Sequence, residues 1–233
     1  EVYEPHYASF KSEFGKTFAD FFYDEPEIGN VPGYPFDCLP GRANIRLPWS
    51  GELSAMLRRL WGEDFRKNLP ALWYEYGEKT ERIRSQYMDS VTKLVYTCFS
   101  GQVGKWCRER GAEYIGHIIE HDNAHARLGC SIGHYFREMQ GQDMAGIDVV
   151  HHQIVPGFTE KIHQWIAGDS DGEFFHFGLA KLGSSMAHLD AKMKNRALCE
   201  IFGNYGWAEG VSFMKWPANH MLARGINHFT PHA

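Results

Sequence analysis

Three acidic side chains follow an aromatic run within four residues, in the sequence FFYDEPE. They are Asp24, Glu25 and Glu27. Carboxylates this close repel one another, so they reduce stability unless the protein uses their charge. A further acid, Glu200, ends the apolar sequence ALCE. Carboxyl groups brought together from two such segments can act as an acid and a base on one substrate bond.

The elements that would position these acids alternate along the chain. Short strands are predicted from apolar runs that end in polar residues, and helices from apolar residues at helical spacing between them. The predicted strands lie within residues 16–25, 112–122, 144–153, 196–203 and 225–233. The predicted helices cover residues 2–14, 50–60, 79–110, 158–167, 172–189 and 207–224. Because no Asn-Gly turn separates the strands, we expect parallel strands joined by helical crossovers.

Two architectures fit this order of elements, an open doubly wound sheet and a (β/α)8 barrel. The first commonly carries a GxGxxG or GxxxxGK[ST] phosphate loop, and neither motif occurs in the sequence. Polar residues after each strand favour the barrel, whose active sites lie at the carboxyl ends of its strands. Five strands are fewer than the barrel needs. We therefore predict an α/β fold in which residues 1–233 form the C-terminal five βα units of a catalytic domain within a longer chain.

Cleavage of a glycosidic bond fits two opposed carboxyl groups. One protonates the leaving oxygen, and the other attacks the sugar or activates water. Glu25 and Glu200 end strands that are three units apart, so they would face each other across the barrel, and we predict them as the catalytic pair. A wider set would bind substrate because its members lie at strand ends or are aromatic residues that follow Glu200: Asp24, Glu27, Glu120, His121, Asp122, Asn123, His152, Tyr205, Trp207 and His228.

Two other functions remain open at this point. One is a metal-dependent hydrolase on the same fold, since the chain has thirteen histidines and His121 and His125 stand four residues apart. The sequence has no HExxH or HxH motif, which favours histidines that bond sugar hydroxyls and predicts no zinc site. Calcium is the candidate cation, held by oxygens near Glu27 or Glu120. The other function is a catalytically inactive barrel that binds carbohydrate.

Several motifs resemble those of known glycoside hydrolases. The sequence FFYDEPE is similar to the fourth-strand ending of clan A enzymes, where an Asn-Glu-Pro-like motif carries the general acid/base; Asp24 stands here in place of the Asn. The sequences LGSSMAHLDAKMKNRALCEIFGNYGW and MKWPANHMLARGINHFTPHA resemble the C-terminal barrel half of family 106 α-L-rhamnosidases and their family 2-like relatives. The segment GHIIEHDNAH departs from that pattern.

This resemblance implies an α-L-rhamnosidase-like enzyme that acts on plant or host polysaccharide, with Glu200 as the second carboxylate. In family 106 the acid stands slightly later in its motif, which would favour Glu27 over Glu25. The resemblance also implies an upstream barrel half and β-sandwich domains in the full-length protein. It favours a periplasmic or secreted location over a cytoplasmic one.

The composition excludes other classes of partner. A net charge of −5 argues against a nucleic-acid partner, which would require a basic surface. No run of 18 apolar residues occurs, so no membrane span is expected. The five cysteines show no CxxC spacing, and we predict free thiols.

Overall fold

The computed structural model describes residues 2–28, 39–118, 132–157, 159–164, 168–206 and 209–232. It is a mixed α/β fold with parallel strands in two small sheets. The first sheet pairs β1 (Asp20–Tyr23) with β2 (Glu113–Gly116), and the second has the order β3-β6-β7. In the second sheet β3 is Ala145–Val149, β6 is Ala197–Ile201 and β7 is His228–Pro231, and both pairings are parallel. Each of the five predicted strand regions therefore contains a parallel strand.

The helices fall between these strands, as the alternation predicted. They are α1 (Tyr3–Phe10), α2 (Gly51–Trp61), α3 (Thr80–Val95), α4 (Gly101–Arg108), α5 (Tyr135–Met139), α6 (Leu179–Leu189) and α7 (Gly210–Leu222). A π-helical turn, Tyr96–Ser100, joins α3 to α4, and another, Phe174–Gly178, precedes α6. None of the described helices is long and apolar enough to cross a membrane.

One predicted helix is wrong. Residues 158–167 were expected to be helical, but Lys161–Gln164 (β4) pairs antiparallel with Gly168–Asp171 (β5). The second of these segments, GDSD, consists of residues with low helix propensity, which disfavours a helix in this part of the chain. The pair is an insertion between β3 and α6 and leaves the parallel strands in sequence.

Close backbone contacts bring the two sheets side by side. A Cβ on Gly116 would lie 2.0 Å from the carbonyl oxygen of Tyr23, and one on Gly146 would lie 1.7 Å from the carbonyl oxygen of Gly116. The Asp143 amide also donates to the Tyr114 carbonyl over 2.7 Å. Because glycine has no Cβ, Gly116 and Gly146 allow the backbones of β1, β2 and β3 to pack directly against one another.

The side chains of the strands alternate between two environments. Ile115, Met144 and Leu198 form a small buried cluster on one face. On the other face, Ile147, Cys199 and Ile201 pack in the main core with residues of α6 such as Leu179 and Met186. The two faces follow from the period of two in a strand, so alternate residues of one strand enter different surroundings. Among the described cysteines, Cys98 and Cys107 are free thiols.

The outer edges of the two sheets lead to a prediction about the solubility of the isolated chain. Within the described residues, β1 pairs only with β2, and β7 pairs only with β6, which leaves one edge of each without a partner strand. Unpaired edges expose backbone groups that other chains can pair with. We predict that residues 1–233 expressed alone are poorly soluble or misfolded, because these two strand edges have no partner strand among the described residues. A cooperative thermal transition and a well-dispersed amide spectrum of the isolated chain would contradict this prediction.

Candidate active site

Acidic side chains from several strands meet where the strands end. Asp24 and Glu25 directly follow β1. Asp148 and Glu200 are register partners on β3 and β6, so in this parallel pair their side chains lie next to each other on the same face. His117 follows β2, and its amide donates to the Tyr23 carbonyl over 3.3 Å. Five side chains from four strands therefore form one group, which we call the acidic cluster.

His117 lies at the centre of the acidic cluster and is only 1% exposed. Its Nε2 lies 3.0 Å from Glu200 Oε2 and 3.4 Å from Asp24 Oδ1. One ligand atom each from Glu25, His117 and Asp148 also lie within 4.8 Å of one another. The Glu200 carboxylate can only accept, so His117 Nε2 carries the proton and donates it in this hydrogen bond.

The backbone at Glu25 adopts a left-handed conformation, with φ of +43°. Side chains other than glycine rarely occupy this region, and such strain persists only where the surrounding structure enforces it. Here the turn follows β1 directly and brings the half-buried Glu25 to the pocket wall.

The two predicted catalytic acids have pKa values shifted in opposite directions. Burial is the main cause that raises the pKa of Glu25; His117 opposes it, and the neighbouring carboxylates add to it. The hydrogen bond from His117 is the main cause that lowers the pKa of Glu200, and the charge of His232 adds to it. His232 Nε2 lies 4.0 Å from Glu200 Oε1. The two opposite shifts favour the proton on Glu25 over Glu200 and the charge on Glu200 over Glu25.

Asp148 is a third carboxyl group of the cluster, and sequence reasoning missed it. It is 5% exposed, and burial raises its pKa to about 8. Its Oδ1 is buried without a hydrogen-bond partner among the residues that the structure describes. The sequence did contain an indication that Asp148 belongs to the site. Asp148 is the lone acid in the apolar strand sequence AGIDV, and it occupies the same strand position as Glu200.

A pocket of about 790 Å³ opens over the acidic cluster. At one end it is lined by Asp24, Glu25, Asp148 and Glu200. The rest of its wall is largely apolar and comes from the ends of β3, β6 and β7 and from α7: Val150, Phe202, Val211, Met214 and Pro231. A ligand could therefore place a polar part among the acids and a less polar part against α7.

Three predicted substrate contacts lie elsewhere. His228 begins β7 and pairs in register with Leu198, so it sits at the end of the strand opposite the pocket, where its Nδ1 lies 2.8 Å from Asn227 Oδ1. The predicted strand began too early in the sequence. The histidine at the pocket end of β7 is His232. Tyr205 is 9% exposed, and its hydroxyl accepts from the amide of Ile154 and donates to its carbonyl. His152 is exposed and packs its ring at 4.7 Å from that of Tyr205.

Glu27 is exposed and is absent from the described pocket lining. It remains close enough for its charge to raise the pKa of Glu25. Five other predicted contacts fall outside the described residues: Glu120, His121, Asp122, Asn123 and Trp207.

The acidic cluster also fits a cation. Asp24, His117 and Glu200 offer one ligand atom each within 4.8 Å of one another, and Glu25, His117 and Asp148 do the same. Four carboxyl groups supply the oxygen ligands that calcium prefers, while the single imidazole also suits a transition metal. A calcium ion here would lie among Asp24, Glu25, Asp148 and Glu200. The sequence had placed the candidate ion near Glu27 or Glu120 instead.

The raised pKa of Asp148 has a consequence for stability. A carboxyl group whose pKa is higher in the folded than in the unfolded protein costs stability as the pH rises between the two values. For Asp148 this window runs from about 4 when unfolded to about 8 when folded. We predict that Asp148→Asn in the full-length protein flattens the fall of unfolding free energy across this window, by at most about 1.4 kcal/mol per pH unit.

Denaturant unfolding at pH 5 and pH 8 measures this effect. The exposed Asp64 provides the control, since Asp64→Asn should leave the pH dependence unchanged. An Asp148→Asn variant with the wild-type slope would show that Asp148 is ionised in the folded protein.

The fold resembles part of one solved glycosidase. The rhamnosidase from Novosphingobium sp. PP1Y matches with a TM-score of 0.57 and 18% sequence identity, over 81% of this chain. The match covers 16% of the rhamnosidase chain, so this chain spans about one sixth of that protein. No family model matches the chain, and no curated protein sequence does. At this identity the likeness concerns the fold alone.

Proposed function

We propose that this chain carries the catalytic carboxyl pair of a glycoside hydrolase that resembles α-L-rhamnosidases. The observation that carries the proposal is the opposite shift in pKa of Glu25 and Glu200, both lining one pocket. Two carboxyl groups held in different protonation states are what glycosidic cleavage requires. The fold likeness to a rhamnosidase points in the same direction.

In this proposal Glu25 is the general acid. Its burial raises the pKa of the carboxyl group and so favours the protonated form, and the proton passes to the glycosidic oxygen as the bond to the sugar breaks. The positive charge that develops on the sugar is stabilised by the nearby carboxylates. Glu25 is preferred to Glu27 because Glu27 is exposed and lies outside the described lining of the pocket.

Glu200 is the nucleophile or the general base. Its hydrogen bond from His117 keeps it ionised, and it is largely buried, with 13% of its side chain exposed. It either attacks the anomeric carbon or removes a proton from the water that does so. His117 is then a positioning residue, because it holds Glu200 in one orientation and one protonation state.

The remaining pocket would hold the substrate. Asp24 and Asp148 lie at the acidic end and would bond sugar hydroxyls, with the protonated Asp148 able to donate. The apolar wall near Met214 would contact the leaving group. We further propose that the substrate is a plant or host polysaccharide, that residues Glu120 to Asn123 and Trp207 contact it, and that the enzyme is periplasmic or secreted.

We also propose that residues 1–233 form the C-terminal part of a barrel. The upstream half of that barrel and β-sandwich domains would belong to the same longer chain.

We predict that, in the full-length enzyme, Glu25→Gln reduces kcat far more for substrates with poor leaving groups than for activated aryl glycosides. The aryl group needs little protonation, so it tolerates the loss of the acid. Glu200→Gln should abolish turnover of both substrates, by roughly 10⁴-fold or more, since it removes the nucleophile or base. Steady-state kinetics on an aryl rhamnoside and on a rhamnose disaccharide give both comparisons.

Glu27→Gln is the matched control and should leave both rates within about threefold of wild type. The roles of the two glutamates are exchanged if Glu27→Gln, and not Glu25→Gln, shows the dependence on leaving group. A wild-type protein that binds rhamnosides without hydrolysing them would instead identify an inactive carbohydrate-binding barrel.

A metal-dependent hydrolase is the second candidate function. It is favoured by the two overlapping groups of potential ligands around His117. In that case His117 would be a metal ligand, and the cation would activate a water molecule. In the glycosidase, the carboxyl pair performs the proton transfers without a transition metal.

The two candidates respond differently to removal of transition metals. We predict that rhamnoside hydrolysis survives EDTA supplied with an excess of calcium, because the chelator then removes zinc but leaves calcium available. Activity that is lost under these conditions and is restored by zinc would favour the metal-dependent hydrolase. Elemental analysis of the purified protein provides an independent measure of bound zinc.

A further inference from the structure

Two loops form one side of the pocket, one after β3 and the other after β6. His151 belongs to the first loop and Asn204 to the second, and both residues line the pocket. Asp148 stands three positions before His151 in the sequence, and Glu200 stands four positions before Asn204. The two residues therefore lie just beyond two acids of the acidic cluster, in the direction in which the strands run.

The first loop has an unusual backbone conformation. His151 and His152 are consecutive left-handed residues, with φ of +53° and +59°, and Asn204 in the second loop has φ of +61°. Left-handed residues other than glycine usually occur singly, and strained conformations persist only where the surrounding structure enforces them. Such strain is concentrated at ligand-binding and active sites, which directs attention to His151.

Direct contacts between the loops hold His151 in place. Its amide donates to the carbonyl of Gly203 over 2.9 Å. The side-chain oxygen of the buried Gln153 accepts from the amide of Val150 over 2.9 Å. A Cβ on Gly203 would lie only 2.6 Å from Val150 Cγ1. The backbone of His151 is therefore fixed relative to the loop that carries Asn204.

The side chain of Asn204 determines which nitrogen of the His151 ring carries the proton. Asn204 Nδ2 lies 2.6 Å from His151 Nδ1, and an amide nitrogen can only donate, so Nδ1 accepts. Burial lowers the pKa of His151, and the charges of His152 and His232 lower it further, which favours the neutral ring. A neutral ring that accepts at Nδ1 carries its proton on Nε2, so Nε2 is a hydrogen-bond donor.

We propose that His151 is a substrate-binding residue that donates from Nε2 to an oxygen of the bound sugar, and that Asn204 is the positioning residue that keeps the ring in this tautomer. This role rests on the proposed glycoside hydrolase function. An ionised carboxylate such as Glu200 can only accept, whereas the hydroxyl groups of a sugar both donate and accept. A donor fixed beside the acids supplies the complementary contact and orients the sugar over them.

Binding of a rhamnose disaccharide to the full-length protein tests this role. Calorimetric titrations use Glu200→Gln as the parent, so that the disaccharide stays intact. We expect His151→Asn in this parent to weaken binding on the order of fivefold, because asparagine reaches the position of Nδ1 but not that of Nε2. Asparagine also tolerates the left-handed backbone and can still bond Asn204, so the loop is retained.

Three further variants of the same parent separate the contact from the structure of the loop. His151→Gln places an amide nitrogen near the position of Nε2 and should restore part of the affinity. Asn204→Gly allows the left-handed backbone but no longer fixes the ring, so it should weaken binding less than His151→Asn does. His152→Asn is the matched control and should leave the affinity unchanged, since His152 is left-handed but exposed and absent from the described pocket lining.

Parent affinity in His151→Asn would overturn the proposal, and so would an equal loss in His152→Asn. If thermal unfolding shows that His151→Asn does not fold, Asn204→Gly decides, and parent affinity in that variant would overturn the role of both residues. A parent that does not bind the disaccharide at all would overturn it too. Wild-type protein that binds the disaccharide without hydrolysing it would overturn the glycosidase, while the comparison of His151→Asn with the parent would still decide the role of His151.

Discussion

The hydrogen bond between His117 and Glu200 is the interaction on which the candidate site depends. His117 is buried among carboxyl groups from β1, β3 and β6, and its proton lowers the pKa of one of them. The neighbouring Glu25 keeps a raised pKa because burial outweighs the attraction of the same imidazole. One donor placed nearer to one acid than to the other thus leaves the pKa values of the two carboxyl groups shifted in opposite directions. Without this donor, Glu200 would lose the main cause of its lowered pKa.

This arrangement requires the strands to approach closely. Gly116 and Gly146 leave no room for a Cβ at the contacts between β1, β2 and β3, so the residues after these strands converge. The period of two then sends alternate residues to opposite sides of the strands. On one side it places Asp148 and Glu200 at the pocket, and on the other it buries Tyr114 with Phe14 and Cys107.

Local patterns were sufficient for the parallel strands, for most of the helices and for part of the site. The apolar runs predicted all five parallel strands, and polar residues after β1 and β6 led to Glu25 and Glu200 before any contact was known. The same reasoning placed His228 at the pocket end of the last strand. The observed strand β7 begins at His228, a few residues later than predicted, so His228 lies at the end opposite the pocket. It also placed Tyr205 among the substrate contacts, whereas the hydroxyl of that side chain bonds the backbone of Ile154.

The sequence by itself determined where the parallel strands and most of the helices form and which segments carry carboxyl groups, since these follow from periodicity and residue type within about ten neighbours. Only the tertiary structure decided which acids share a proton donor. Asp148 and His117 stand 31 positions apart in the sequence and Glu200 follows much later, so no local pattern links them. Their protonation states depend on burial and on distances of 3–5 Å between strands, which exist only once the strands have packed.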